Sequence, residues 1–202
     1  MGRKRQRTRD DRALVAETAA RLLVDGIADD FQSAKRKAAL TLGLSSAAAL
    51  PDNLEVQSAL SAYQQVFEGP ELAERIERLR RAALAVMRKL EEFTPRLVGP
   101  VLYGTPCADT PVTLHVFCDE PEALVRHFLA TGTQYLCGSH RVRLSRAQLF
   151  ECPAYAIESE NAEIELVVFP ADHLRQAPLS PLDGKPMRRA GIRQLEALLQ
   201  PD

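Results

Sequence analysis

Three segments in the second half of the chain alternate charged or imidazole side chains with apolar ones. The alternation runs through residues 112–117, 141–144 and 162–169. Since successive side chains of a β-strand point to opposite faces, each segment predicts a strand with one apolar and one polar face. If these strands are neighbours, one open face of the sheet carries a histidine, two glutamates and two arginines, namely His115, Glu163, Glu165, Arg141 and Arg143.

Such a face could bind a metal ion or an anion, because carboxylates and imidazoles coordinate metals and guanidinium groups bind anionic oxygens. Under this interpretation the candidate catalytic residues are Glu163, Glu165 and His115. The alternative is a solvated sheet face, on which glutamate and arginine form cross-strand pairs and the histidine is structural. The sequence leaves both interpretations open.

The pair Gly104-Thr105 is a candidate phosphate-binding turn. It follows an apolar run and precedes a short polar loop. A tight turn at this point would offer backbone N–H groups and the Thr105 hydroxyl to an anion, with Arg141 or Arg143 supplying a charge. The alternative is an ordinary hairpin turn, in which glycine is common for conformational reasons.

A second basic segment, SPLDGKPMRR, could contribute to the same phosphate site. It places Lys185, Arg188 and Arg189 at the predicted start of a closing helix. Cations and a helix N-terminus both favour a bound anion. The alternative here is a surface loop built around an ordinary Asp-Gly turn.

The first twelve residues are strongly basic, with six Lys or Arg against two Asp. This composition predicts a flexible arm over residues 1–12 or the start of a helix. A basic arm binds DNA or RNA through the phosphates, in a salt-sensitive and sequence-independent way. A solubilising tail has the same composition, so a nucleic-acid partner is one of two interpretations of this segment.

The whole chain is balanced in charge, with 26 Lys and Arg against 27 Asp and Glu among 202 residues. This balance argues against a protein that coats nucleic acid over its whole surface. No apolar run approaches the roughly 20 residues that span a bilayer, and no secretory signal is evident, so a cytoplasmic protein without a membrane partner is expected. The four cysteines lack the spacing of a zinc site and favour reduced thiols.

The apolar periodicity divides the chain near Pro95. Residues 13–94 show helical periodicity, and the longest pattern begins at Pro70 and connects the two halves. Residues 95–202 predict an α+β domain with a mixed or antiparallel sheet. Its predicted strands are 97–103, 111–118, 140–145, 148–157 and 162–169, with a helix after the second strand and a turn at Glu160-Asn161.

The succession of a long helix, a strand, LYGT, a second strand and the later strand AEIELVVF resembles the palm of the nucleotidyltransferase superfamily. The resemblance implies a mixed sheet flanked by helices and transfer of a nucleoside monophosphate with a bound divalent metal such as Mg²⁺. Gly104-Thr105 resembles the Gly-Ser element of that family, and Glu163 or Glu165 occupies the place of its third carboxylate. The stretches FQSAKRKAALTLGL, RLVGPVLYGT and QAPLSPLDGKPMRR are similar to uncharacterised bacterial nucleotidyltransferase-like proteins.

The chain departs from this family where the metal ligands are expected. Pro111 and Thr113 stand at the positions of the paired aspartates. The sequence therefore predicts a degenerate domain that binds a nucleotide or nucleic acid without efficient transfer. Two alternatives stay open: an active, divergent metal-dependent nucleotidyltransferase, and a structural protein that docks a partner on its sheet face. No particular base, substrate or oligomeric state is predicted.

Overall fold

A computed structural model describes residues 2–44, 50–145 and 147–200, with side chains from residue 8 onward. The chain forms two compact units. The first comprises Met1–Ala73 together with two short segments, Cys107–Asp109 and Pro181–Asp183. The second contains the remaining residues and the sheet.

In its described residues the first unit contains three α-helices, α1 (Gly2–Val24), α2 (Phe31–Thr41) and α3 (Asn53–Phe67). Helix α1 packs against both others through small side chains. Helices α2 and α3 each begin with a capping box, in which an aspartate accepts a hydrogen bond from the third helical N–H. The buried core consists of Val15, Ala16, Ala19, Ala28, Ala34, Ala38 and Val56.

The basic N-terminal segment is helical in the structure. Helix α1 begins at Gly2, so residues 2–12 form a helix start rather than a flexible arm. Arg12 forms an ion pair within the first unit, in which its guanidinium lies 2.6 Å from the Glu55 carboxylate.

Helix α4 (Gly69–Lys89) begins in the first unit and continues in the second, as the long apolar pattern predicted. The second unit also contains α5 (Gly99–Tyr103), α6 (Pro121–Thr131) and α7 (Ile192–Ala197). Its five strands are β1 (Arg96–Val98), β2 (Val112–Phe117), β3 (Leu136–Arg143), β4 (Leu149–Ser159) and β5 (Ala162–Phe169).

The five strands form one mixed sheet in the order β1-β2-β5-β4-β3. Strands β2 and β5 are parallel neighbours, and every other neighbouring pair is antiparallel. Residues Glu160 and Asn161 form the hairpin turn between β4 and β5, both with positive φ, as predicted. The α+β fold class, with four helices before the sheet, is confirmed.

Both faces of the sheet are covered by apolar side chains. The main core lies on the face that carries Leu114 and Leu166, under residues of α4, α5 and α6. A smaller core on the other face contains Phe117, Val167 and Phe169. Leu174, from the 3₁₀ turn Ala171–Leu174, packs on that smaller core. Residues 170–180 are called the covering segment below.

The strand predicted over 140–145 begins earlier in the structure, where β3 spans Leu136–Arg143, and two further predicted elements differ. The strand predicted over 97–103 ends at Val98, and α5 follows. Pro100 stands at the start of this short helix and Gly104 ends it in the left-handed conformation, which is the usual asymmetry of helix ends. The closing helix begins only at Ile192, so Lys185, Arg188 and Arg189 precede it in a loop.

Within the described ranges, no helix combines the length and the apolar character that crossing a bilayer requires.

Candidate functional site

The sheet face that carries Glu165 and His115 is where the predicted residues partly converge. Strand β2 pairs with β5 in a register that sets Thr113 opposite Glu165 and His115 opposite Val167. The two predicted catalytic residues therefore share one face. This face is not open at His115, which is only 2% exposed because Phe169, Arg189 and the covering segment close over it.

Arg141 and Arg143 lie on the opposite face of the sheet from Glu165. The registers of β3 with β4 and of β4 with β5 place His140 and Val142 on the Glu165 side instead. Val142 belongs to the smaller core, and Arg141 approaches Glu151 at 3.8 Å. The predicted convergence of the two arginines with Glu165 was wrong.

His140 takes the place that the arginines were predicted to occupy. Its Nδ1 lies 2.9 Å from Oε1 of Glu165, and the Thr113 hydroxyl donates to Oε2 of the same carboxylate at 3.3 Å. The histidine of β3 reaches the glutamate of β5 across β4, where the intervening side chains on this face are small, Ala154 and Ala156. Both oxygens of the Glu165 carboxylate are thus engaged.

The contact between His140 and Glu165 changes the pKa of both groups in opposite directions. The pKa of His140 is raised by its hydrogen bond to Glu165, against an opposing effect of burial. The pKa of Glu165 is lowered by the same hydrogen bond. These shifts favour a protonated imidazole beside an ionised carboxylate.

His115 occupies a very different environment, although it lies on the same face. Its Nδ1 accepts a hydrogen bond from Nε of Arg189 at 3.1 Å, which requires a neutral ring with the proton on Nε2. Burial, followed by the charges of Arg189 and His140, lowers the pKa of His115 to about 3. His115 is therefore a neutral acceptor rather than a source of positive charge.

Arg189 is a cation without a matching anion. Its guanidinium lies 5.0 and 5.2 Å from the ring centroids of Phe117 and Phe169. Nη1 donates to the carbonyls of His173 at 2.9 Å and Gln176 at 3.4 Å, whereas Nη2 is buried and has no hydrogen-bond partner among the described residues. Burial and then the charge of Arg96 lower the pKa of Arg189 to about 10.

The Cys152 thiol, which lies close enough to affect the pKa of Arg189, stays neutral at neutral pH. Burial raises the pKa of the Cys152 thiol to about 11, against a smaller lowering by Arg189. The Glu165 carboxylate is shared between His140 and Thr113. Within the described ranges Arg189 forms no ion pair with a carboxylate, and its charge remains balanced only by neutral acceptors and aromatic rings.

Gly104 and Thr105 do not form a phosphate-binding turn in the structure. Gly104 ends α5 with φ of 79°, and its N–H donates to the carbonyl of Pro100. The N–H of Thr105 donates to the same carbonyl at 2.9 Å. Both backbone donors are therefore used inside the helix end, and Arg80 completes it by donating to the carbonyls of Val101 and Leu102.

The Gly104→Val variant should lose stability without any effect on ligand binding. An added Cβ has room, since its nearest neighbours would lie at 3.8 Å, but a β-branched residue is strained at positive φ. We expect the free energy of unfolding to fall by about 1–2 kcal/mol. Urea unfolding measures this loss, and nucleotide titration of the folded variant should match that of the wild type. If the variant loses nucleotide binding but keeps its stability, Gly104-Thr105 does form a phosphate-binding turn.

The remaining predicted residues stay at the surface. Glu163 is exposed and stands opposite Glu158 in the hairpin, so two like charges face each other there. Lys185 and Arg188 are exposed. Arg188 lies close enough to lower the pKa of Arg80, after the larger effect of burial.

Sequence reasoning missed the pairing of His140 with Glu165. The signal was present in the alternation of β3, in which His140 and Val142 share one face while Arg141 and Arg143 share the other. The apolar Val142 and the charged arginines suggested that the arginines faced Glu165, because the face under the covering segment was expected to be open. The lack of a carboxylate partner for Arg189 among the described residues could not be inferred from the residues next to it in the sequence.

The structure also bears on metal binding. No group of three or more His, Cys, Asp or Glu side chains arranged to hold a metal ion occurs in the part of the chain that the structure describes. Glu163 and Glu165 alternate on one face of β5, but only Glu165 has partners that fix its carboxylate.

Comparison of the chain with protein-family models, with curated proteins and with solved structures finds no match. The geometry of the second unit therefore carries the functional argument alone.

Proposed function

We propose that the protein binds a nucleotide, or another ligand with a phosphate group, at Arg189 without transferring it. The observation that carries the proposal is the buried, unused Nη2 of Arg189, a cation for which the described residues provide no carboxylate. Burying a charge or a polar donor without a partner costs several kcal/mol. A phosphate oxygen would supply both the charge and the missing acceptor.

The protein must move locally to admit this ligand, because Nη2 is buried. The covering segment would have to move, which would break part of its packing on the smaller core and its hydrogen bonds to Asp119, Arg143 and Arg189. The backbone N–H of Ala171 donates to Asp119 at 3.0 Å, and the carbonyl of His173 accepts from Arg189. A phosphate that replaces the carbonyl of His173 on the guanidinium would exchange a neutral acceptor for a charged one.

The site favours binding over metal-dependent transfer. Such transfer needs anionic oxygens that converge on one or two divalent cations. Glu165 is engaged by His140 and Thr113, and neutral His115 accepts from Arg189. These contacts orient the side chains toward each other and support an anion-binding role of the face.

The Arg189→Met variant tests the proposal by thermal unfolding with nucleoside triphosphates and diphosphates, in buffer free of divalent cations. At a ligand concentration of about 100 Kd, binding should raise the Tm of the wild type by roughly 5–10 °C. The methionine variant should show no such shift, whereas Arg193→Gln, an exposed arginine of α7, should keep it. The ligand-free Tm is compared separately, because methionine leaves Nδ1 of His115 and the carbonyl of His173 without their donor.

Two results would contradict this function. One is a wild type that shows no shift with any nucleotide, and the other is an Arg189→Met variant that keeps the shift. The same proteins with Mg²⁺ or Mn²⁺ and labelled nucleoside triphosphates test the alternative of active transfer. We expect no nucleotidylated product from them.

A further inference from the structure

The His140–Glu165 pair lies on the same sheet face as Arg189, and the anion-binding function does not use it directly. We propose that this pair controls anion binding at Arg189 by changing its own net charge with pH. The inference rests on the proposed function, and it adds a regulatory role for His140. In this role His140 is a positioning and charge-setting residue that need not touch the ligand.

His115 connects the pair to the cation. One side of its ring accepts from Arg189 at 3.1 Å, and its pKa responds to the charges of both Arg189 and His140. The pair and Arg189 are thus close enough to influence a common neighbour electrostatically. The titratable or charged groups that face this region are His115 from β2, Cys152 from β4, Glu165 from β5, His173 from the covering segment, and Arg189 and Arg96.

The sign of the effect follows from the charge of the pair. When His140 is protonated, the imidazolium and the Glu165 carboxylate sum to zero. When His140 loses its proton, the ionised carboxylate leaves a net charge of −1 on the face that must receive an anion. Since the pKa of His140 is raised above its ordinary value of 6.5 by the hydrogen bond to Glu165, the change falls above pH 6.5.

Three of the groups that face this region do not titrate in this window, namely His115, Arg189 and Cys152. The pKa of His115 is lowered to about 3, that of Arg189 lies at about 10 and that of the Cys152 thiol at about 11. Arg189 therefore stays charged and His115 stays neutral from pH 5.5 to pH 8.5. A change of anion affinity across this range that disappears in His140→Asn is assigned to the pair.

Sulfate is the appropriate probe, because it remains a dianion throughout this range while a phosphate ester changes its own charge near pH 6. Sulfate affinity is measured by calorimetric titration at pH 5.5 and pH 8.5 at constant ionic strength. For the wild type we expect the sulfate affinity to fall roughly tenfold from pH 5.5 to pH 8.5, because the charge of Glu165 is no longer compensated by a protonated His140.

Two variants separate the charge of the pair from its structural role. In His140→Asn no positive charge compensates the Glu165 carboxylate at either pH. The sulfate affinity should therefore be low at both pH values and equal to that of the wild type at pH 8.5. In Glu165→Gln the negative charge is absent, so the affinity at pH 8.5 should rise to that of the wild type at pH 5.5. A merely structural role would make both variants weaker at both pH values.

A reciprocal measurement uses the ring resonances of His140. Because binding linkage is symmetric, saturating sulfate should raise the pKa of His140 in a proton NMR titration. The Arg193→Gln variant serves as the control and should behave as the wild type in both measurements.

The outcomes distinguish this inference from the function on which it rests. Sulfate binding that needs Arg189 but is equal at pH 5.5 and pH 8.5 overturns the control by His140 and leaves the anion site in place. Sulfate binding that survives Arg189→Met, or no sulfate binding at either pH, overturns both. A pH step that persists in His140→Asn also overturns the inference.

Discussion

Replacing Phe169 with alanine is expected to lower the free energy of unfolding by about 3–5 kcal/mol. Phe169 is fully buried in the smaller core, where its ring stacks on Phe117 with a centroid distance of 5.9 Å. The ring also contacts the His115 imidazole at 4.6 Å and lies beneath the Arg189 guanidinium. Alanine would remove these contacts, together with one to the His173 ring, and leave a cavity beside the Arg189 guanidinium.

Urea unfolding followed by far-ultraviolet circular dichroism measures this loss. The control is Leu129→Ala in α6, which truncates a side chain that is 71% exposed in the same unit. That variant should change the stability by no more than about 0.5 kcal/mol. If Phe169→Ala costs as little as the control, the covering segment does not form a packed core with the sheet.

Acid should destabilise the protein through His115, which folding keeps neutral. The folded state holds the pKa of His115 at about 3, whereas the unfolded chain has the ordinary value of 6.5. Above pH 6.5 both states are neutral and nothing is lost. As the pH falls below 6.5, the histidine is protonated in the unfolded state but stays neutral in the folded state. The free energy of unfolding therefore falls by about 1.4 kcal/mol per pH unit. By pH 3 the loss from this one group reaches roughly 5 kcal/mol.

The His115→Gln variant isolates this loss. Its amide oxygen can accept the hydrogen bond of Arg189 and has no proton to bind. Urea unfolding at pH 7, 5.5 and 4 should show a shallower acid loss for this variant than for the wild type. His127→Gln, in α6, should retain the steep acid loss. Equal slopes in the wild type and in His115→Gln would mean that His115 is not held neutral by folding.

Local signals in the sequence were sufficient for the helices and most strands. Asp52 caps α3 and Gly26 and Gly43 follow α1 and α2 with positive φ, so these ends were readable from neighbouring residues. The apolar run Val101–Tyr103 was interpreted as part of a strand, because three residues are too few to distinguish the periodicity of a helix from that of a strand. The bracketing Pro100 and Gly104 carried the helical signal.

The candidate site was less predictable than the fold because it depends on long-range contacts. Glu165 and His115 were placed on one face correctly, since the alternation within each strand is local. The burial of His115 depends on Arg189, which is 74 residues away in the sequence. The pairing of His140 with Glu165 depends on the register across β4, which no local pattern specifies.

The position of β3 at the end of the sheet bears on how the protein behaves at high concentration. Apart from the carbonyl of Arg143, which accepts from the N–H of Leu179, the outer side of β3 meets no further strand in the described ranges. Unpaired strand edges invite pairing between molecules and aggregation, and natural proteins discourage it with charged side chains along the edge. Arg141 and Arg143, which lie on the opposite face from Glu165, place positive charges on this edge strand, where they disfavour its pairing with a second copy of the same edge.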